Sequence, residues 1–321
     1  WLKQVAPLLA CIRYRGKLPH SIRLPPSLGA MTDAHSVSMN TASMELPIGI
    51  ASWMTCSVGM LLFNKLAVTA FPLECFLIGM QMFVGAMAMV CCCWRSIHIG
   101  SAKDVMRWMM VAPFFTGMLL SSILALKHAP MTLVITFRAI SPLVSLAIER
   151  FYPRPIAITP YMCASIVAMI VGVCVYAKDL DKSELTGIGW VILNNFFAIG
   201  DRLLQRLMLA KDQSPVDISL TGVTLLNNVL GMIPLMGVAF ILNEFHQVPA
   251  AAAALDAWGI FFVAASCAVG VGISYTGVWV QSLISATSFL VLVNANKFVI
   301  IGIEAFIMKT KVLSAAQMLG A

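Results

Sequence analysis

The stretch that decides how this chain folds is Ala286 to Met308, ATSFLVLVNANKFVIIGIEAFIM. It is long and apolar enough to cross a bilayer as one helix. Yet Asn294, Asn296 and Lys297 stand near its middle. An ammonium group there costs roughly 2.5–3.5 kcal/mol on insertion scales, so it must face protein, water or a ligand rather than lipid. Asn294 and Lys297 are three apart, hence on one helix face. Lys297 brings three donors and no acceptor, which suits a phosphate or carboxylate. Two readings are open. The lysine either locks two helices by pairing with a buried Glu or carbonyl, or it faces a substrate near the midplane, where transporter sites lie.

Composition places the rest of the chain in the same setting. Of 321 residues 60% are hydrophobic and only 11% charged, against about 25% charged in soluble domains. The mean hydropathy is +0.90. The apolar runs are long and continuous, without the alternation of a β-barrel. The expected fold class is therefore an all-α polytopic membrane protein. The net charge of +7 owes much to Lys3, Arg13, Arg15, Lys17 and Arg23; without these five, 16 basic residues face 14 acidic ones. That leaves no nucleic-acid footprint. The nine cysteines show no paired CxxC spacing and no metal-ligand cluster with histidine, so neither a metal nor a cofactor is expected. Most read as small apolar packing residues, with palmitoylation an alternative for Cys91, Cys92 and Cys93.

Residues 1–45 contain no spanning stretch and form a separate segment, cytosolic or presequence-like. The chain opens on Trp1, and Met31 begins MTDAHSVSMNTASMELP, which reads as an ordinary short polar N-terminus. From 46 to 321 we read a transporter domain. Its spans are expected at about 47–70, 72–94, 105–127, 130–149, 155–177, 186–209, 217–242, 257–281 and 284–308. A tenth begins near Val312 and is truncated at Ala321. Arg95, Lys103, Arg107, Arg150, Arg154, Arg206 and Lys211 fall on the side of the N-terminal segment. Lys127, Lys178, Lys182, Lys309 and Lys311 fall on the other, so the positive-inside rule makes the N-terminus cytosolic.

The chain echoes itself. At a shift of 155 residues MTLVITFRAISPLVSLAIE (131–149) overlies the deciding stretch, with Thr132 on Thr287, Ile148 on Ile303 and Glu149 on Glu304. Gln81–Gly85 gives a weaker echo of Asn227–Gly231. Chance similarity between apolar segments is the competing explanation. Five spans fill such an offset, and an odd-numbered unit repeats upside down, as in secondary transporters. The expected halves are about 46–180 and 181–321, giving ten helices in two inverted sets of five.

Other polar residues lie at membrane depth. Arg138, in ITFRAISP, stands one helical turn from the counterpart of Lys297. It forms an anion clamp with that lysine, or bonds to carbonyls freed by Pro142. Asn227 and Asn228 sit in TLLNNVLG; their amides offer donors and acceptors for a nucleobase edge, or glue between helices. Adjacent residues differ by about 100° around a helix, so both cannot point squarely at one ligand. Asp201, Arg202, Gln205 and Arg206 end the sixth span and read as solvated or gate-lining charges.

These residues resemble a family. ISYTGVWVQSLISATSFLVLVNANK (273–297) looks like the corresponding region of nucleotide-sugar transporters, within the drug/metabolite transporter superfamily. TLLNN (224–228) resembles the FYNN motif of the GDP-mannose transporters at Asn227 and Asn228 only. VNANK (293–297) resembles their GALNK motif at Asn296 and Lys297. Phe137-Arg138 before Ser-Pro resembles the basic residue of the fourth span in the wider family. The resemblance implies ten helices and exchange of a cytosolic nucleotide-sugar for a lumenal nucleoside monophosphate in Golgi or ER membranes. It implies the asparagine motif at the nucleotide and the lysine motif at the phosphate-sugar end; the lack of a His/Asp/Glu or Cys constellation that could run chemistry leaves no catalysis expected. Leu225 replaces the motif aromatic, and Val293-Asn294 replaces Gly-Ala. The related triose-phosphate translocators, of the plastid envelope, carry a Lys-Arg pair where this chain has Lys297-Phe298. Exchange of a sugar phosphate for phosphate is therefore the alternative. The candidate binding set is Lys297, Asn296, Asn294, Asn227, Asn228, Arg138 and Tyr275. The lipid bilayer is an expected partner and a homodimer a possible arrangement.

Overall fold

The computed structural model describes residues 31–128, 137–155, 158, 160–177 and 187–306. Among them all regular structure is helical, apart from one isolated antiparallel bridge between Ile99 and Ile218. The helices are α1 (Met31–Ala70), α2 (Glu74–Cys93), α3 (Ala102–Met109), α4 (Ala112–His128), α5 (Ser141–Glu149) and α6 (Pro160–Ala177). They continue with α7 (Ile188–Leu209), α8 (Leu220–Ile241), α9 (Glu244–Ala253), α10 (Ala257–Leu283) and α11 (Ala286–Phe306). Four described segments are long and apolar enough to cross a membrane: Met44–Ala70, Glu74–Ser96, Leu220–Ile241 and Ala257–Leu283. The stretch after Val312 lies outside the described residues.

Large apolar side chains such as Phe196, Ile233, Phe240 and Phe261 are exposed, while Gln81, Asn194, Asp201, Gln205 and Asn228 are buried. That distribution suits lipid outside and a polar interior, and the protein is an integral membrane protein. Three elements differ from expectation, the first being the span read at 105–127, which is divided between α3 and α4. α1 reaches back to Met31, because the polar residues before Pro47 lack the hydropathy of a span but not the capacity to form a helix. α9 occupies what reads as a loop; its alanine run has high helix propensity in spite of Pro249.

α1 packs along α10, and α4 along α7. α2 crosses both α8 and α10, α8 crosses α4, and α5 lies against α11. The echoing segments meet each other. A Cβ added to Gly85 would stand 3.1 Å from the Asn228 amide, and one added to Gly231 would stand 3.1 Å from Met82, so α2 and α8 approach closely there.

Two carboxylates tie distant helices together. Buried Glu149, at the end of α5, accepts from the backbone N–H groups of Ala286 (2.9 Å) and Thr287 (3.0 Å) and from the Thr287 hydroxyl. A helix start is a ready anion site, because its first N–H groups have no partner within the helix. Glu244 does the same for α2, accepting from Phe76 (2.7 Å) and Cys75 (3.3 Å). Position 304 lies about 27 Å farther along α11 from the Glu149 tether, at 1.5 Å per residue.

The end that carries Glu149 gathers three of the basic loops. Arg107 donates to the Ser214 carbonyl (2.8 Å), Arg206 pairs with Asp212 (3.1 Å), and Gln213 donates to the Arg154 carbonyl (2.7 Å).

Candidate functional site

Two adjoining cavities lie between the helices. The larger, about 310 Å³, is lined from α1, α2, α4, α7, α8, α10 and α11. Its walls include Trp53, Gln81, Arg202, Gln205, Asn227, Asn228, Ser274, Gln281 and Phe289. The smaller, about 240 Å³, is lined by Ser122, Arg138, Ser141, Asn195, Arg202 and Asn294 among others. Met118, Leu119, Arg202 and Val293 line both. One end is therefore rich in amides and apolar groups, the other holds two guanidinium groups. Among the described lining residues there is no carboxylate.

Arg138 is held by a fixed network. Buried Asn194 donates through Nδ2 to the Met118 carbonyl (2.9 Å) and to Ser121 Oγ (3.1 Å). The Ser121 hydroxyl itself donates to the Gly117 carbonyl (2.5 Å), so toward Asn194 it must accept. Asn194 Oδ1 is thereby left to accept from Arg138, at 2.6 Å from Nη2 and 3.2 Å from Nε. Ser122 Oγ takes a further bond from Nη2 at 3.3 Å. Pro142 falls in the first turn of α5, where no donor is missed.

The candidate residues of α8 and α11 separate. Asn227 Oδ1 accepts from the indole N–H of fully buried Trp108 at 3.0 Å, which turns its NH₂ the other way. Asn228 is buried and engaged at both ends. It donates to the Thr224 carbonyl (2.9 Å) and accepts from the Ser274 hydroxyl (3.4 Å). Asn294 lines the smaller cavity and donates to the Arg138 carbonyl at 3.1 Å, joining α11 to the start of α5. Asn296 turns to α1 and donates to Ser57 Oγ at 2.7 Å; it lines neither cavity. Tyr275 also lines neither, although Ser274 does. The side chain of Lys297 lies outside the described residues. The helical register puts position 297 on the face that carries Val293 and Asn294.

Arg202 escaped the sequence reading as a site residue because it belongs to a charge cluster near a span end. Its Nε stands 3.5 Å from Asp201 Oδ2, and its guanidinium lies 5.0 Å over the Phe289 ring, which itself packs on Trp53 at 5.1 Å. Asp201 is fully buried and takes 2.7 Å from Gln205 Nε2. A charge in the middle of an amphipathic turn, with a partner one residue away, reads as solvated until neighbouring helices are known to cover it.

The chain is similar to GDP-fucose transporter 1 of Arabidopsis thaliana, 26% identical over 269 residues, which cover 80% of this chain and 77% of that protein. No family model matches. The likeness bears out the expected resemblance to nucleotide-sugar transporters, and it is a likeness to a transporter rather than to an enzyme.

Proposed function

We propose that this chain is an antiporter that exchanges a nucleotide-sugar for a nucleoside monophosphate across a Golgi or ER membrane. The observation that carries the proposal is the likeness to a GDP-fucose transporter over most of both chains, and it favours a GDP-linked sugar. The cavities supply matching chemistry. Guanidinium groups suit a diphosphate, and amides suit a base edge and sugar hydroxyls. Their volumes are of the order of small-ligand sites, about 300–1,000 Å³.

The alternating-access frame is part of the same proposal: ten helices in inverted halves, about 46–180 and 181–321, with the basic loops cytosolic. The packing supports it. If α1, α2, α4 and α5 correspond to α7, α8, α10 and α11, then the α1–α10 contact exchanges with α7–α4, and α2–α10 with α8–α4. The α2–α8 and α5–α11 contacts map onto themselves. A pseudo-two-fold axis has that signature. Lys297, Asn294, Arg138 and Asn227 form the core of the binding set, with Asn228, Asn296 and Tyr275 around it.

Counterflow tests the proposal. Proteoliposomes preloaded with GMP should accumulate labelled GDP-fucose, and liposomes preloaded with phosphate should not accumulate labelled triose phosphate. The reverse result assigns the chain to sugar-phosphate exchange, and no exchange of either kind removes the antiporter reading.

A further inference from the structure

We infer that Arg202 and Arg138 together form a phosphate cradle at the junction of the two cavities, so that the ligand passes from one cavity into the other with its phosphate between them. The inference rests on the nucleotide-sugar reading for the identity of the ligand, but not for its charge. Arg202 lines both cavities and Arg138 the smaller one. Neither guanidinium has all its donors engaged by described residues. Arg138 spends Nε and Nη2 on Asn194 and Ser122, and its Nη1 makes no hydrogen bond to a described residue. Arg202 faces Asp201 through Nε at 3.5 Å, beyond the usual N–H···O length of about 2.7–3.2 Å, and rests its flat face on Phe289. Nη1 of Arg138 and the Nη edge of Arg202 are thereby left for the cavity.

The charges do not balance either. Arg138 has no carboxylate within ion-pair distance among the described residues, and Asp201 matches only Arg202 while turning its other oxygen to Gln205. Guanidinium stays protonated at any physiological pH. An unmatched guanidinium away from bulk water is costly unless an anion meets it, and a phosphate accepts two parallel N–H bonds from such a fork. The bland alternative makes Arg202 the counter-ion of Asp201 and no more. It leaves Arg138 unmatched.

The test compares ligands that differ by phosphate alone. Binding of guanosine, GMP and inorganic pyrophosphate is measured on the purified full chain, wild type against Arg202→Gln and the double variant Asp201→Asn/Arg202→Gln. The double variant removes both charges, so no buried carboxylate is orphaned and folding is protected. Guanosine affinity should stay within about twofold while GMP affinity falls roughly ten- to a hundredfold. Arg202→Lys should recover part of the loss. Equal weakening of guanosine and GMP, or no weakening of GMP, overturns the cradle and leaves Arg202 a wall residue. A wild type that binds pyrophosphate through Arg202 but neither GMP nor GDP-fucose keeps the cradle and overturns the nucleotide-sugar reading.

Discussion

α8 and α11 carry the two asparagine motifs, and they solve the same problem differently. α8 starts on its own cap: Ser219 Oγ accepts from Gly222 N at 3.1 Å, beside an exposed His98–Asp217 pair at 3.2 Å. α11 has a cap of the same kind, Ser285 Oγ accepting from Ser288 N at 3.0 Å, and adds the buried carboxylate of another helix, Glu149. At mid-length each presents two amides, and each pair splits. In α8 adjacent residues diverge by about 100° and in α11 residues two apart by about 200°. Asn227 lines the larger cavity with its NH₂ turned away from Trp108, and Asn294 lines the smaller one, whereas Asn228 spends both ends of its amide on neighbouring groups in the larger cavity's wall and Asn296 is buried against α1. Adjacency in a motif is not adjacency in a site. α8 starts on its cap and on the backbone of Ser96 and His98, whereas α11 adds to its cap the buried carboxylate of α5.

The largest expected effect is at Lys297. If α11 is the helix that carries the phosphate end, Lys297→Ala abolishes counterflow in proteoliposomes while the protein still folds. Lys297→Arg keeps part of it, because charge survives and shape changes. Fully active, well-folded Lys297→Met protein would break the functional side of the comparison, since a structural lysine tolerates an apolar isostere.

Stability comes next and bears on the two helix starts. Glu149→Ala leaves two N–H groups and a hydroxyl without their acceptor in a buried place, a loss of about 3 kcal/mol. Ser219→Ala removes an ordinary N-cap, about 1 kcal/mol. Thermal unfolding in detergent should rank them in that order. If Ser219→Ala costs as much, the Glu149 carboxylate adds no more to the start of α11 than an ordinary cap adds to α8.

A smaller effect belongs to the orientation of Asn227. Trp108→Phe removes the indole donor that fixes Oδ1 and lets the amide rotate. Affinity for the nucleotide should fall a few-fold, about 1 kcal/mol, and unfolding should become easier as well, because the smaller ring leaves a cavity in a fully buried place. Unchanged affinity would place Asn227 outside the binding set.

Most of the fold was legible because hydropathy marks a span whatever it packs against. Helical residues fall in each of the nine stretches read as spans, although the third is divided between α3 and α4 and four described segments are long and apolar enough to cross a membrane. The site was legible only in part. Arg138 and Asn294 announce themselves as polar residues at mid-span. Asn194, Arg202, Gln205 and Glu149 do not, since they stand near span ends or among other polar residues, and burial there depends on how helices cross. Asn194 shows the limit best. In NNFFAIGD nothing separates it from Asn195, yet its amide alone orients Arg138.

The smallest expected effect is at Asn296, and it separates motif from site most sharply. Its Nδ2 bonds Ser57 at 2.7 Å, while its Oδ1 is buried without a hydrogen-bond partner. Asn296→Leu gives up one hydrogen bond, about 1 kcal/mol, but also relieves an unpaired carbonyl that costs about 1–3 kcal/mol. The side chains are similar in size, so little repacking is required. Unfolding should shift by less than about 1 kcal/mol in either direction, and counterflow should stay within a few-fold of wild type, even though Lys297 is the next residue. A full loss of transport in a folded Asn296→Leu protein would show that α11 turns during the cycle and brings Asn296 to the ligand. The division of the α11 motif into a cavity residue and a packing residue would then describe one conformation only.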